Sequence, residues 1–162
     1  MTIHQYNQQV KMHADDLYRF VLKNIRNQQD AEDIVQQSYK ILWMKKEEVD
    51  LEKIKSYLFT VGYHKLVDAL RKKKKTHLVE SIPEKFGGSS ETKNHDVKKA
   101  VNEALEKLPD LQKQLVLLKD YEGYSYEEIG SITKLSENQV KVYLFRARLQ
   151  LKTSLIGLEN HI

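Results

Sequence analysis

The sequence contains no cysteine, which excludes disulfides, cysteine-ligated zinc and a thiol nucleophile, and suits a reducing cytoplasm. Only 2 prolines and 6 glycines interrupt its 162 residues, so little in the chain forbids long helices. No apolar run nears the roughly 20 residues that a membrane-spanning helix needs. The opening stretch, with His4, Gln5 and Asn7, has no signal-peptide core. Any link to a membrane is therefore expected to run through a partner. The 6 histidines form no cluster with metal-ligand spacing, and nothing resembles a nucleophile beside its base. These gaps argue against an enzyme, and the expectation is no cofactor and no metal.

What is present is helical material with a cationic surplus. Charged residues make up 31% and hydrophobic residues 40% of the chain, and the net charge is +4. That surplus favours a polyanionic partner only weakly. The unbroken run Arg71-Lys72-Lys73-Lys74-Lys75 says more, because phosphates would relieve its self-repulsion.

Apolar periodicity predicts the elements. Leu17, Phe20, Val21 and Ile25 share one helical face, and that helix should stop near Asn27. Asp30 then reads as the N-cap of a second helix, whose buried stripe is Ile34, Val35, Tyr39 and Leu42. After a polar stretch over 45–53, a third helix from Ile54 carries two stripes, one with Tyr57, Leu58 and Val61, the other with Phe59, Tyr63, Leu66 and Leu70. A helix apolar over so much of its circumference is either central in its domain or offers a surface to a partner. From 76 to 96 periodicity fades, and Pro83 and Gly87-Gly88-Ser89-Ser90 read as a flexible linker. The expected fold is all-α, with two small helical domains over 1–75 and 97–162.

In the second half, Leu111, Leu115, Leu118 and Tyr121 predict a helix that Gly123 can end. Two capping boxes follow, Ser125 with Glu128 and Ser136 with Gln139. Lys134 and Leu135 alone separate the helices they start, so the pair reads as a tight helix-turn-helix. Gly130 lets the two helices approach closely. Val140, Leu144, Ala147, Leu151 and Leu155 give the second helix its inner face, which leaves Gln139, Lys141, Tyr143, Arg146 and Arg148 outward. Amides and cations near the start of such a helix can contact base edges, each good bidentate pair discriminating by about 1 to 3 kcal/mol. Lys152, Arg146 and Arg148 suit phosphates.

Taken in order, these residues resemble extracytoplasmic-function sigma factors of bacterial RNA polymerase over nearly the whole chain. Ala31-Glu32-Asp33-Ile34-Val35-Gln36 is similar to the family's polymerase-docking segment, and Tyr57-Leu58 through Asp68 to Leu70-Arg71 is similar to its minus-ten helix. Leu108-Pro109, Tyr124 to Gly130, Val140-Lys141 and Arg146-Ala147-Arg148 resemble its minus-thirty-five domain. The chain also departs from the pattern. Tyr57 stands where tryptophan is usual, His64 for asparagine, Gln37 for glutamate, Asn138-Gln139 for Gly-Thr and Val142-Tyr143 for Ser-Arg.

The resemblance implies a non-enzymatic factor, bound to the nucleoid, that directs core polymerase to promoters and helps open the DNA. Glu32, Asp33, Gln36 and Gln37 would dock on the clamp helices, and the polymerase flap is a further expected contact. Lys55, Tyr57, Tyr63, His64, Lys65, Asp68, Arg71 and Lys72 would serve minus-ten recognition and melting, with exposed aromatics facing an unpaired strand. A flipped base would be held near the loop over 45–53. Glu137, Asn138, Gln139, Lys141, Val142, Tyr143, Phe145, Arg146 and Arg148 would read the minus-thirty-five element. An anti-sigma protein is a further expected partner. The rival readings are a stand-alone helix-turn-helix regulator and a helical adaptor that binds protein only.

Overall fold

The computed structural model describes residues 1–77 and 93–159, which form helices and turns with no strand among them. Helix α1 (Ile3–Ile25) begins at a capping box: the Thr2 hydroxyl accepts from the Gln5 N–H at 3.1 Å, and the Gln5 side chain accepts from the Thr2 N–H at 2.9 Å. Its early turns carry a mixed, half-buried face, so apolar spacing finds only the part from Leu17 onward. They are held down by hydroxyls instead. Tyr6 donates to the Tyr39 carbonyl at 3.0 Å, Tyr39 donates to the Val10 carbonyl at 3.3 Å, and Tyr6 meets Trp43 edge-on at 4.9 Å.

Helix α2 (Gln28–Met44) is capped by Asn27 rather than Asp30: the Asn27 carboxamide accepts from the Asp30 N–H at 2.9 Å. Asn fills this role as well as Asp does, and Asp30 moves into the first turn, where its charge suits the helix dipole. A short 3-10 turn (Leu51–Lys53) leads into α3 (Ile54–His77). The three helices pack pairwise around Leu17, Phe20, Leu42, Leu58 and Leu66, all at or near zero exposure.

The second lobe contains α4 (Lys93–Glu106), α5 (Asp110–Val116), a π-turn (Leu117–Tyr121), α6 (Tyr126–Thr133) and α7 (Glu137–Glu159). Helix α3 thus runs into the expected linker and α4 starts inside it, while Pro83 and the Gly87–Ser90 run lie outside the described residues. Near the start of α4, Val97 is exposed. Gly123 takes φ +76° after the π-turn, a conformation that favours glycine. Helices α4, α5 and α6 all lean on α7. Lys113, almost fully buried, pairs with Glu106, which also receives Arg26 from the first lobe at 3.0 Å.

The lobes meet where α3 lies against α6. Phe59 and Tyr124 touch edge-to-face at 5.4 Å, both buried. Arg19 reaches the enclosed carboxylate of Glu122 at 3.5 Å, Lys23 sits 4.0 Å over the Tyr121 ring, and Lys74 pairs with Asp110 at 2.9 Å.

Candidate nucleic-acid interface

The helix-turn-helix is built as its caps predict. Ser125 accepts from the Glu128 N–H at 3.1 Å while Glu128 accepts from the Ser125 N–H at 3.0 Å. Ser136 and Gln139 repeat the arrangement at 3.1 and 2.9 Å. Between the helices Lys134 turns through a left-handed conformation. A Cβ on Gly130 would stand 2.9 Å from the Leu135 carbonyl oxygen, so only glycine lets the turn close this tightly.

Helix α7 buries Val140, Leu144 and Ala147 and turns Glu137, Asn138, Gln139, Lys141, Val142, Phe145, Arg146 and Arg148 outward, with Tyr143 half-buried. Several of these polar groups are already occupied. The Gln139 carboxamide completes its own helix cap, Lys141 pairs with Glu137 at 3.4 Å, and Arg148 donates to Asp120 at 3.0 Å. Arg146 lies 5.9 Å from the Tyr143 ring.

On α3, Tyr57, His64, Asp68, Arg71 and Lys72 recur at helical spacing along one face, with Lys65 at its edge. Tyr63 and Lys55 do not join them. Tyr63 is 6% exposed and Phe59 is fully buried, because the second apolar stripe is consumed by α1 and by the other lobe; the expected exposed aromatics reduce to Tyr57, itself half-buried. Lys55 points to the lobe junction, 5.6 Å from the Tyr124 ring. His64 is half-buried against Tyr63 at 5.4 Å, and its Nε2 meets no hydrogen-bond partner among the described residues. Beside Tyr57 a cavity of about 250 Å³ opens, lined also by Lys45, Glu48, Val49, Asp50 and Lys53.

The lysine run is partly neutralised within the fold. Arg71 lies 3.9 Å from Asp68, Lys73 pairs with Asp30 at 2.9 Å, and Lys74 with Asp110. On α2, Glu32, Asp33, Gln36 and Gln37 form an exposed row opposite Ala31, Ile34, Val35 and Ser38, with Gln37 donating to Asp33 at 2.7 Å.

Two family models match this chain: sigma-70 region 2 over residues 9–76 and sigma-70 region 4 over residues 98–151. Together they cover both lobes. The chain belongs to the extracytoplasmic-function sigma factors, as 30% identity to an ECF member across 94% of each chain decides. It is similar to the RNA polymerase sigma factor SigV of Bacillus subtilis, at 35% identity across 86% of each chain. The ECF RNA polymerase sigma factor SigM of the same organism is 30% identical across 94% of each. Among solved structures, the fold matches the sigma factor RpoE of Bartonella quintana, seen in complex with the anti-sigma factor NepR. The TM-score there is 0.75, with 22% identity and coverage of 94% of this chain and 98% of that one. CnrH, seen in complex with the cytosolic domain of CnrY, matches at a TM-score of 0.69 and 22% identity, covering 94% of this chain and 88% of that one.

This sigma factor therefore directs core RNA polymerase to promoters. The stand-alone regulator is not favoured, since its first half would then have no reason to match region 2. Residue spacing alone overlooks two features of the sigma factor's second lobe. Lys119 and Lys141 lie 4.8 and 5.5 Å from the Tyr126 ring, which gathers two cations at the start of α6. The second is an apolar outer stripe on α7, with Val142, Phe145, Leu149 and Ile156 exposed. The latter was visible at helical spacing, but the inner stripe accounts for the core and hides it.

Proposed function

We propose that the two lobes divide promoter recognition, with α3 taking the minus-ten element and α7 the minus-thirty-five element, while the Glu32, Asp33, Gln36 and Gln37 row docks on the polymerase clamp. The factor acts by binding alone and works on the nucleoid. Opening of the duplex is capture: a base leaving the stack enters the cavity beside Tyr57, whose ring gives it a stacking partner. The observation that carries this reading is the common face of Tyr57, His64, Asp68, Arg71 and Lys72, which ends at the mouth of that cavity. Such a face tracks a backbone with Arg71 and Lys72 and meets a base at Tyr57.

Stacking on an aromatic contributes about 1 to 3 kcal/mol per base. Tyr57→Ala should therefore reduce the population of melted promoter, read by permanganate reactivity of unpaired thymines, by roughly fivefold or more. Binding to core polymerase should stay unchanged. Equal permanganate reactivity in the variant would remove Tyr57 from the opening step. The solved structure of RpoE bound to the anti-sigma factor NepR supports a protein partner that holds this factor inactive.

A further inference from the structure

The apolar stripe on the outer face of α7 has no place in the core. Val142 is 47% and Phe145 64% exposed, on the side opposite Val140, Leu144 and Ala147. A valine and a phenylalanine on a surface gain when an apolar group covers them. They are one helical turn apart in the early part of the helix, the part that enters a groove. Arg146 and Lys152 flank them, both exposed, so what covers this stripe carries negative charge around an apolar spot. The neighbouring polar readers are engaged within the protein: Gln139 in its cap, Lys141 with Glu137 and Arg148 with Asp120.

The major groove of DNA offers one apolar group, the C5 methyl of thymine. Resting on the assignment of α7 to the minus-thirty-five element, we infer that Val142 and Phe145 are specificity-determining residues that read thymine methyl groups on neighbouring base pairs. Their separation along the helix, about 4.5 Å at 1.5 Å per residue, matches one to two base steps of roughly 3.4 Å. A G·C pair at either position would set hydrogen-bonding edges against side chains that cannot answer them, and is disfavoured for that reason. The element is thus selected at these positions by shape and apolar contact.

The test replaces thymine with deoxyuridine, which deletes the methyl group and leaves every hydrogen-bonding group in place. Promoter duplexes are first selected from a randomised pool by core polymerase carrying the full-length factor. Single deoxyuridines are then placed across the upstream element. One or two neighbouring substitutions should each weaken complex formation about fourfold, the worth of one buried methyl group. With Val142→Ala or Phe145→Ala the penalty at the corresponding thymine should vanish, although overall binding is weaker. Both side chains are exposed, so neither variant disturbs the core. Indifference to deoxyuridine throughout the upstream element, or a penalty that survives both variants, overturns the inference. Enrichment of no sequence over core polymerase alone would instead strike the assignment on which it rests.

Discussion

Glu122 carries a carboxylate into the junction between the lobes with only 3% of its side chain exposed. Burial pushes its pKa above the ordinary carboxylate value, the charge of Arg19 opposes that rise, and Asp16 adds to it. The folded chain therefore holds this proton more tightly than the unfolded chain does. Such a group favours folding most below the ordinary carboxylate range, and the advantage is lost as pH rises through the elevated value. Glu122→Gln should consequently have a urea midpoint at pH 7.5 equal to or above that of the natural protein, with the natural protein gaining on the variant as pH falls. A clear loss at pH 7.5 would mean that pairing with Arg19 outweighs the burial. Tyr124, beside it, has its phenol pKa raised by burial and then by Glu122, Glu128 and Asp16, and its hydroxyl meets no hydrogen-bond partner among the described residues. Tyr124 shows in the sequence only through the family resemblance, and Glu122 not at all. Glu122 reads as a surface acid, because what buries it is the far end of a different lobe.

At the scale of elements, local chemistry is legible and boundaries are less so. The capping boxes at Ser125 and Ser136 announce their helices because both partners lie within one turn. The cap of α2 went to Asn27 because two good capping residues, Asn27 and Asp30, compete within one turn and side-chain chemistry alone does not rank them. Tyr63 looked available to DNA because both apolar stripes of α3 have the same period, and only packing decides that α1 and α6 consume the second. Gly130 is the element-scale residue with the firmest expectation. Alanine there improves helix propensity by about 1 kcal/mol but forces the Leu135 carbonyl aside, and it is backbone that must move. Overpacking of this kind costs about 1 to 3 kcal/mol. Gly130→Ala should therefore lower stability on balance and loosen the helix-turn-helix, seen as faster amide exchange at Leu135 to Gln139. Unchanged exchange there would show that the turn tolerates a wider approach.

For the whole molecule, two lobes in contact at Phe59 and Tyr124 carry the two surfaces, α3 and α7, that we propose face DNA. The division into two helical domains was legible in the loss of periodicity after the lysine run. Their contact was not, since Arg19 and Glu122 or Phe59 and Tyr124 are distant in sequence and each has an ordinary local role. The lysine run likewise promised a free polycation, whereas Asp30, Asp68 and Asp110 temper it from three other places in the chain. Two recognition surfaces on one chain gain from effective concentration, so neither needs to bind DNA tightly by itself. The most direct test of this division is run-off transcription by purified core polymerase on a genomic fragment library, with and without the protein. Such a division predicts discrete new start sites that share two upstream elements, one for each lobe. New starts sharing a single element, or none beside an active control sigma factor, would contradict it.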